Sequence, residues 1–560
     1  MQQNQIDYTV ANVIVDKLIE ADVDTIFGIV SIHNMPIYNA IAQDGRVKLV
    51  TARGESGAVN MADGYARTSG KMGVVLTSTG AGAGNGAGSL TESWNAETPL
   101  LHITGEIDSN YIGKHKRYIH ECKDELGMME AASKAAYQLD SPYQIHDFMS
   151  HAIKEAQNTP TGPITAIIPT NLQHVKLPKL EVIETTTQVE QQDIVIPEEV
   201  IEMIVNAKKP FIWVGGGVIK AGATDALQHL VNKLQAAVIT SESGKGAYPE
   251  TSDLCLANNS VHPEVTKLLK ESDVLITIGT HLRGEDTLNW KLELPQTHID
   301  INSNPEHINK NYIASKSIIG DANTVLESLN HALKSKHVQI DESYVKQIAN
   351  IKAQMYKALS NDVSPYNQIA ESMNQLLADD DVVVRDVTVP AYWWGNHLIQ
   401  FTKPRTSVYT VGGGIGQGLP LAIGAQMSTK QRRVVNMAGE GGFMVNAGEL
   451  ATLAEQDLPV ITLLFKDGGY GILRYLQSAA YDYNEGVDLH TPDFKMLSES
   501  VGIHAEVVEN IDEFHKTFEY ALQLNKPAFI IVDMDKVGPT NVSYSEDEAY
   551  IESFRPQEKF

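Results

Sequence analysis

The chain has 560 residues, 42% apolar and 20% charged, which is ordinary for globular protein and large enough for roughly three domains. A net charge of −26 leaves no basic surface to offset phosphates, so nucleic acid is excluded as a partner. No apolar run reaches ~18 residues, so no membrane span or membrane partner is expected. Cys122 and Cys255 match no metal spacing, and the first residues lack the basic and apolar regions of a signal peptide, so the expected location is the cytoplasm.

In chain order, residues 8–20 carry apolar side chains at helical spacing, and 23–30 read as a strand entering a loop. A second strand, 47–55, ends at Glu55, and 57–68 has a small-residue helical pattern. The strand 72–77 feeds a glycine-rich loop, 78–85, that ends at Asn85. Strands 99–105 and 163–169 follow. Residues 184–196, rich in Thr, Gln and Glu, read as a linker. A second run of strands, 210–214, 237–240, 274–279 and 297–301, ends near 336, and 339–355 reads as a helical connector. The third run begins near 366, with strands 382–386, 407–411, 434–439, 459–466 and a closing strand 527–533. The tail 544–560 is polar, and its sequence does not choose between disorder and a flap. Strands alternating with helices of about 10–15 residues predict an α/β fold of three doubly wound parallel-sheet domains. Their expected bounds are 1–183, 195–337 and 360–540, with 541–560 as a C-terminal tail.

The densest chemistry lies in 434–443 and 459–471. Each half is an apolar strand that stops at a carboxylate and glycines, Glu440-Gly441-Gly442 and Asp467-Gly468-Gly469. The carboxyl ends of parallel strands are where open α/β sheets bind ligands. Two carboxylates and a bared glycine carbonyl, that of Gly469, make a hard-oxygen set suited to Mg²⁺ holding a diphosphate. Gly441 and Gly442 let phosphate oxygens approach the backbone.

Three separated stretches carry a resemblance. Arg53-Gly-Glu-Ser-Gly-Ala-Val-Asn-Met-Ala-Asp-Gly-Tyr-Ala-Arg67, the Gly412–Pro420 run Gly-Gly-Gly-Ile-Gly-Gln-Gly-Leu-Pro, and the Gly-Glu-Gly…Lys-Asp-Gly-Gly-Tyr-Gly pair stand in the order found in thiamine-diphosphate enzymes. The chain resembles the acetolactate synthase, pyruvate oxidase and 2-keto acid decarboxylase group over nearly its whole length. It departs at Glu440, where that family has aspartate. The resemblance implies a pyrimidine, a central and a diphosphate domain, with thiamine diphosphate and Mg²⁺ as cofactors. It implies that Glu55 hydrogen-bonds the aminopyrimidine ring nitrogen and favours the tautomer that removes the thiazolium C2 proton. Ile415 matches the wedge that bends the cofactor, Gly413 offers a carbonyl to its amino group, and Asn85 falls at the cofactor. Glu440, Asp467 and the Gly469 carbonyl match the metal ligands. Each site would form between two chains, making a homodimer or homotetramer with Glu55 and Glu440 of one site on different chains.

Simple pyruvate decarboxylases carry an aspartate where this chain has Ile32, and a His-His pair where His115 stands without a neighbouring histidine. That difference favours a carboligase or C–C lyase acting on a 2-keto acid, acyloin or diketone; a non-oxidative 2-keto acid decarboxylase and a non-catalytic binding homologue are the alternatives. His33 falls near a histidine used by lyase-type relatives. His120 replaces a glutamine that faces the thiazolium, and histidine can move a proton at neutral pH where glutamine cannot. The Gly215–Gly217 turn raises FAD as a further cofactor, which is not adopted because a lone glycine turn is weak evidence.

Overall fold

The computed structural model describes residues 8–179, 194–429, 431–481 and 483–542. Most of the expected linker and the tail 544–560 therefore lie outside the described residues. The chain forms two compact units, one comprising Met1–Glu190, Thr410–Gln431 and Met444–Val460, the other Gln191–Tyr409, Arg432–Phe443 and Ile461–Phe560.

The first unit is built on a six-stranded sheet with β1 (Thr25–Gly28), β2 (Lys48–Thr51), β3 (Gly73–Thr77), β4 (Leu100–Glu106), β5 (Ala135–Gln138) and β6 (Pro163–Pro169). All of its pairings are parallel, in the order β2-β1-β3-β4-β6-β5. Every residue of β3, β4 and β6 is buried, which is why these strands read as continuous apolar runs. The chain reverses its direction of winding between β1 and β3. The loops that leave those two strands, after Gly28 and after Thr77, therefore flank a crevice at the carboxyl edge.

The second unit holds two sheets. One orders β7 (Pro210–Val214), β8 (Ala237–Thr240), β9 (Val274–Ile278), β10 (His298–Asn302) and β11 (Lys316–Ile319) as β11-β10-β9-β7-β8. The other orders β12 (Val382–Arg385), β13 (Ser407–Tyr409), β14 (Val434–Gly439), β15 (Val460–Lys466), β16 (His504–Val508) and β17 (Ala528–Asp533) as β13-β12-β14-β15-β17-β16. The connector is the helix Glu342–Asp362, whose first backbone N–H groups donate to the Asp341 carboxylate. No helix among the described residues is long and apolar enough to cross a membrane.

The sheets correct several expectations. Residues 527–533 do not close the last sheet: β17 lies inside it and β16 is the edge. β5, β11 and β16 escape a sequence reading because these three edge strands are only partly buried and carry no long apolar run. Glu55 does not end a strand. β2 stops at Thr51, Gly54 is extended, and Glu55 opens the helix Glu55–Ser69. The glycine-rich run 81–85 is not a loop but the start of the helix Ala81–Asn95. Glu440 likewise opens the short helix Glu440–Val445.

In the first unit the Glu55 helix packs on the helix Gly418–Met427 at backbone distance. A Cβ at Gly64 would lie 2.1 Å from the Leu421 carbonyl oxygen, and one at Gly424 would lie 1.8 Å from that of Met61. The small-residue pattern of both segments is thus a packing requirement, and it fixes the Glu55 helix against the segment that follows Ile415.

Candidate active site

Each unit carries one cluster at the carboxyl edge of a sheet, in the second unit the sheet of β14 and β15. In the first unit Glu55 is half-buried at the first turn of its helix, where backbone N–H groups favour a negative charge. Asn85 Nδ2 donates to Glu55 Oε2 at 3.1 Å, while Oε1 meets no donor among the described residues. Gly82, one turn before Asn85, leaves room for that second oxygen; a Cβ there would lie 3.1 Å from it. Asn85 thus holds Glu55 itself.

The loop bearing Gly413 and Ile415 is tied into the same unit. Glu92, 2% exposed, accepts the N–H groups of Val411 at 2.7 Å and Gly412 at 2.6 Å, and pairs with Arg67 at 2.9 Å. Ser56 donates to Asn446 at 3.0 Å, and Asn446 donates to the Gly416 carbonyl at 2.7 Å. Gly413 has a positive φ of 75° with open space where a Cβ would stand, and Ile415 is 38% exposed. Glu449, 1% exposed, accepts the N–H groups of Arg53 and Gly54, both at 3.0 Å, and so sets the turn that delivers Glu55.

His33 and His120 come together: their ring centroids are 5.2 Å apart in an edge-to-face arrangement. His33 is 1% exposed, its Nδ1 finds no hydrogen-bond partner among the described residues, and burial, followed by the nearby His120, lowers its pKa. It is therefore neutral at neutral pH, while His120 is exposed. The separated histidines form in space the pair that the sequence lacks as neighbours.

In the second unit Glu440 is fully buried. Its Oε2 accepts the N–H groups of Asp467 at 2.7 Å and Gly468 at 3.0 Å, and its Oε1 accepts the Thr491 hydroxyl at 3.0 Å. The longer glutamate side chain thus bridges the ends of β14 and β15. Burial pushes the Asp467 carboxyl up to about 6; Arg474 opposes that rise and Glu440 adds to it. A Cβ at Gly441 would lie 3.1 Å from the Gly469 carbonyl oxygen and 2.6 Å from the Tyr470 ring, so that carbonyl sits beside the Glu440–Gly441 turn. The set is two carboxylates and a carbonyl; both lone pairs of Glu440 Oε2 are taken by N–H groups, and Oε1 keeps one unused. A hard divalent cation fits that chemistry and would offset the charge burial that raises Asp467. Gly442 is buried in the same turn. Lys466 pairs with Asp533 at 3.4 Å.

The Gly215–Gly217 turn has a packing reason of its own. A Cβ at Gly215 would lie 2.1 Å from the Gly279 carbonyl oxygen, and one at Gly217 would lie 2.8 Å from the Gly279 Cα. These glycines let the ends of β7 and β9 touch.

Sequence reasoning missed Glu92, Glu125, Glu449 and Thr491. For the glutamates the available signal was a carboxylate set in a small or apolar helical run, where a charge is buried only with dedicated donors.

Family models agree with this layout. The N-terminal thiamine pyrophosphate (thiamine diphosphate) binding domain matches residues 8–128, the central domain of those enzymes 197–329, and their C-terminal thiamine pyrophosphate binding domain 388–532. A probable acetolactate synthase large subunit of Methanocaldococcus jannaschii is 28% identical, over 93% of this chain and 91% of that protein. The acetolactate synthase isozyme 3 large subunit of Escherichia coli is 28% identical, over 95% of each. A probable 2-ketoarginine decarboxylase of Pseudomonas aeruginosa is 28% identical, over 92% of each. With three matched domains in order and relatives that span its length, the chain belongs to the thiamine-diphosphate-dependent enzymes of the acetolactate synthase family.

Proposed function

We propose that the chain is a carboligase or C–C lyase of acetolactate synthase type, acting on a 2-keto acid, acyloin or diketone. Thiamine diphosphate, when bound, supplies the electron sink for making or breaking a bond beside a carbonyl. Glu55 holds a hydrogen bond to the pyrimidine ring through its open oxygen, and Asn85 keeps the carboxylate turned to do so. Gly413 and Ile415 receive the pyrimidine and shape the cofactor. Gly441 and Gly442 leave space for its phosphates, while Glu440, Asp467 and the Gly469 carbonyl hold Mg²⁺. His33 and His120 move a proton to or from the substrate oxygen, with the exposed His120 exchanging it with solvent. Two free cysteines fit a cytoplasmic location, and the family's shared sites support a homodimer or homotetramer. Flavin is left out of the proposal.

The observation that carries this reading is the half-satisfied Glu55 carboxylate at a helix start, with Asn85 on one oxygen and the other open. Its test is product analysis with thiamine diphosphate and Mg²⁺ on a panel of 2-keto acids, acyloins and diketones. Acyloin formation, or cleavage of an acyloin or diketone, is the expected result. The His33–His120 pair favours a second reading, non-oxidative decarboxylation of a 2-keto acid, because two histidines can protonate the product carbon and release it. Aldehyde as the sole product from every keto acid would select that reading.

A further inference from the structure

Behind the Glu55 cluster two buried carboxyl groups meet over one hydroxyl. Glu106 ends β4 and is 5% exposed; Glu125 opens the helix Glu125–Ala132 and is 3% exposed. Thr79 Oγ1 lies 3.2 Å from Glu106 Oε1 and in short contact with Glu125 Oε2. Glu125 also accepts the Gly80 N–H at 2.6 Å, and Glu106 accepts the Ile107 N–H at 2.7 Å; the Thr104 hydroxyl lies 3.2 Å from Glu125 Oε1 but nearer the Ser78 and Gly105 carbonyls, at 3.0 and 3.1 Å. A hydroxyl has one proton and donates to one acceptor at a time. Among the described residues neither carboxyl is paired with a cation. Two adjacent buried carboxylates with no cation are stable only if one keeps its proton.

The segment they hold matters to the site. Gly80 has φ 60° and ψ −106°, and a Cβ there would lie 2.0 Å from the His120 carbonyl oxygen. It leads directly into the helix whose Asn85 bonds Glu55 and whose Gly82 faces it. The Thr79–Gly80 turn therefore sets Asn85 on one side and the His120 backbone on the other.

We propose that Glu106 and Glu125 are a proton-sharing pair of positioning residues: singly protonated they lock the Thr79–Gly80 turn, and loss of the shared proton loosens the turn and slows turnover. Burial first, then the charge of Glu106, pushes Glu125 up to about 7, and burial, with a smaller push from Glu121, raises Glu106. The other titratable groups facing the pair and its turn are Glu121, whose charge acts on Glu106, Glu55 beside Gly82, the exposed His120, and His33, which is neutral. The consequence for turnover rests on the proposed role of Glu55; the shared proton and the locked turn do not.

Three measurements on the full-length protein test this, with Glu125→Gln and Glu106→Gln as variants. Infrared titration of the cofactor-free protein, in which Asp467 and Asp286 also keep protons up to about 6 and about 7, is expected to show a protonated-carboxyl band that fades near neutral pH, is smaller by one carboxyl in Glu125→Gln, and has one component fading at lower pH in Glu106→Gln because the like charge is gone. Amide hydrogen exchange of residues 78–85, referred to Glu125→Gln at each pH, is expected to rise above neutrality in wild type alone. In the loaded enzyme kcat is expected to fall above neutral pH in wild type, with the inflection absent in Glu125→Gln and KM little changed. A missing band, or one unchanged in Glu125→Gln, overturns the shared proton, and pH-independent relative exchange overturns the locking of the turn. A normal band and exchange with an unmoved kcat profile overturns the link to Glu55, while absence of any thiamine-diphosphate turnover counts against the proposed function alone.

Discussion

Glu55 and Glu440 look alike in the sequence, each a glutamate beside glycine near the end of an apolar strand, yet the structure treats them oppositely. Glu55 is half-buried and keeps one oxygen without a donor. Glu440 is fully buried and both its oxygens accept protein donors. A carboxylate that must exchange a hydrogen bond with a ligand is left incompletely satisfied, whereas one that must present fixed charge is tied down. Glu92 and Glu449 extend the second pattern, each accepting two successive backbone N–H groups at a loop of the site. The difference separates what each substitution should do.

The largest effect is expected at Glu55. Glu55→Gln should reduce kcat by orders of magnitude with melting temperature unchanged, since a partly exposed oxygen is replaced by a near-isostere. Next is Glu440→Gln, which keeps one acceptor oxygen and removes the charge. Calorimetry should show thiamine diphosphate with Mg²⁺ bound about 100-fold more weakly, the equivalent of ~2.7 kcal/mol, and a folded apoprotein. Unchanged affinity would remove Glu440 from the metal site. Glu449→Ala leaves the N–H groups of Arg53 and Gly54 without their acceptor at a cost of roughly 1–3 kcal/mol. A lower melting temperature and reduced kcat should appear together, because the same turn positions Glu55.

His120→Gln should flatten the pH–rate profile near neutrality and shift product partitioning severalfold; an unchanged product ratio would return His120 to a structural role. The smallest effect is on stability. Glu125 holds its proton up to about 7 when folded against an ordinary 4.5, so wild type loses stability as pH climbs through that window and then levels off. Glu125→Gln lacks that loss, so its melting temperature relative to wild type should be higher at about pH 8 than at about pH 5.

The apolar runs made the buried strands and the three parallel sheets legible, and the glycine-carboxylate junctions pointed to Glu55, Glu440 and Asp467. Helix starts were misjudged at Glu55, read as the end of a strand, and at Ala81, read as part of a glycine-rich loop, while tertiary packing makes both segments helical; the contacts of Gly64 and Gly424 show the packing that such small residues allow. The partly buried edge strands β5, β11 and β16 were missed because they lack a long apolar run. The pairing of His33 with His120, and of Glu106 with Glu125, was out of reach because residues remote in sequence meet only through the ends of β1, β3 and β4.

The account stands most directly on the separation of cofactor activation from cofactor binding, and one experiment reads both. Hydrogen–deuterium exchange at C2 of bound thiamine diphosphate is measured in wild type and Glu55→Gln, with occupancy determined in the same samples. The predicted result is near-equal occupancy with exchange slowed by orders of magnitude in the variant. Exchange at the wild-type rate in a fully occupied Glu55→Gln variant would contradict the assignment of Glu55 and the reading built on it.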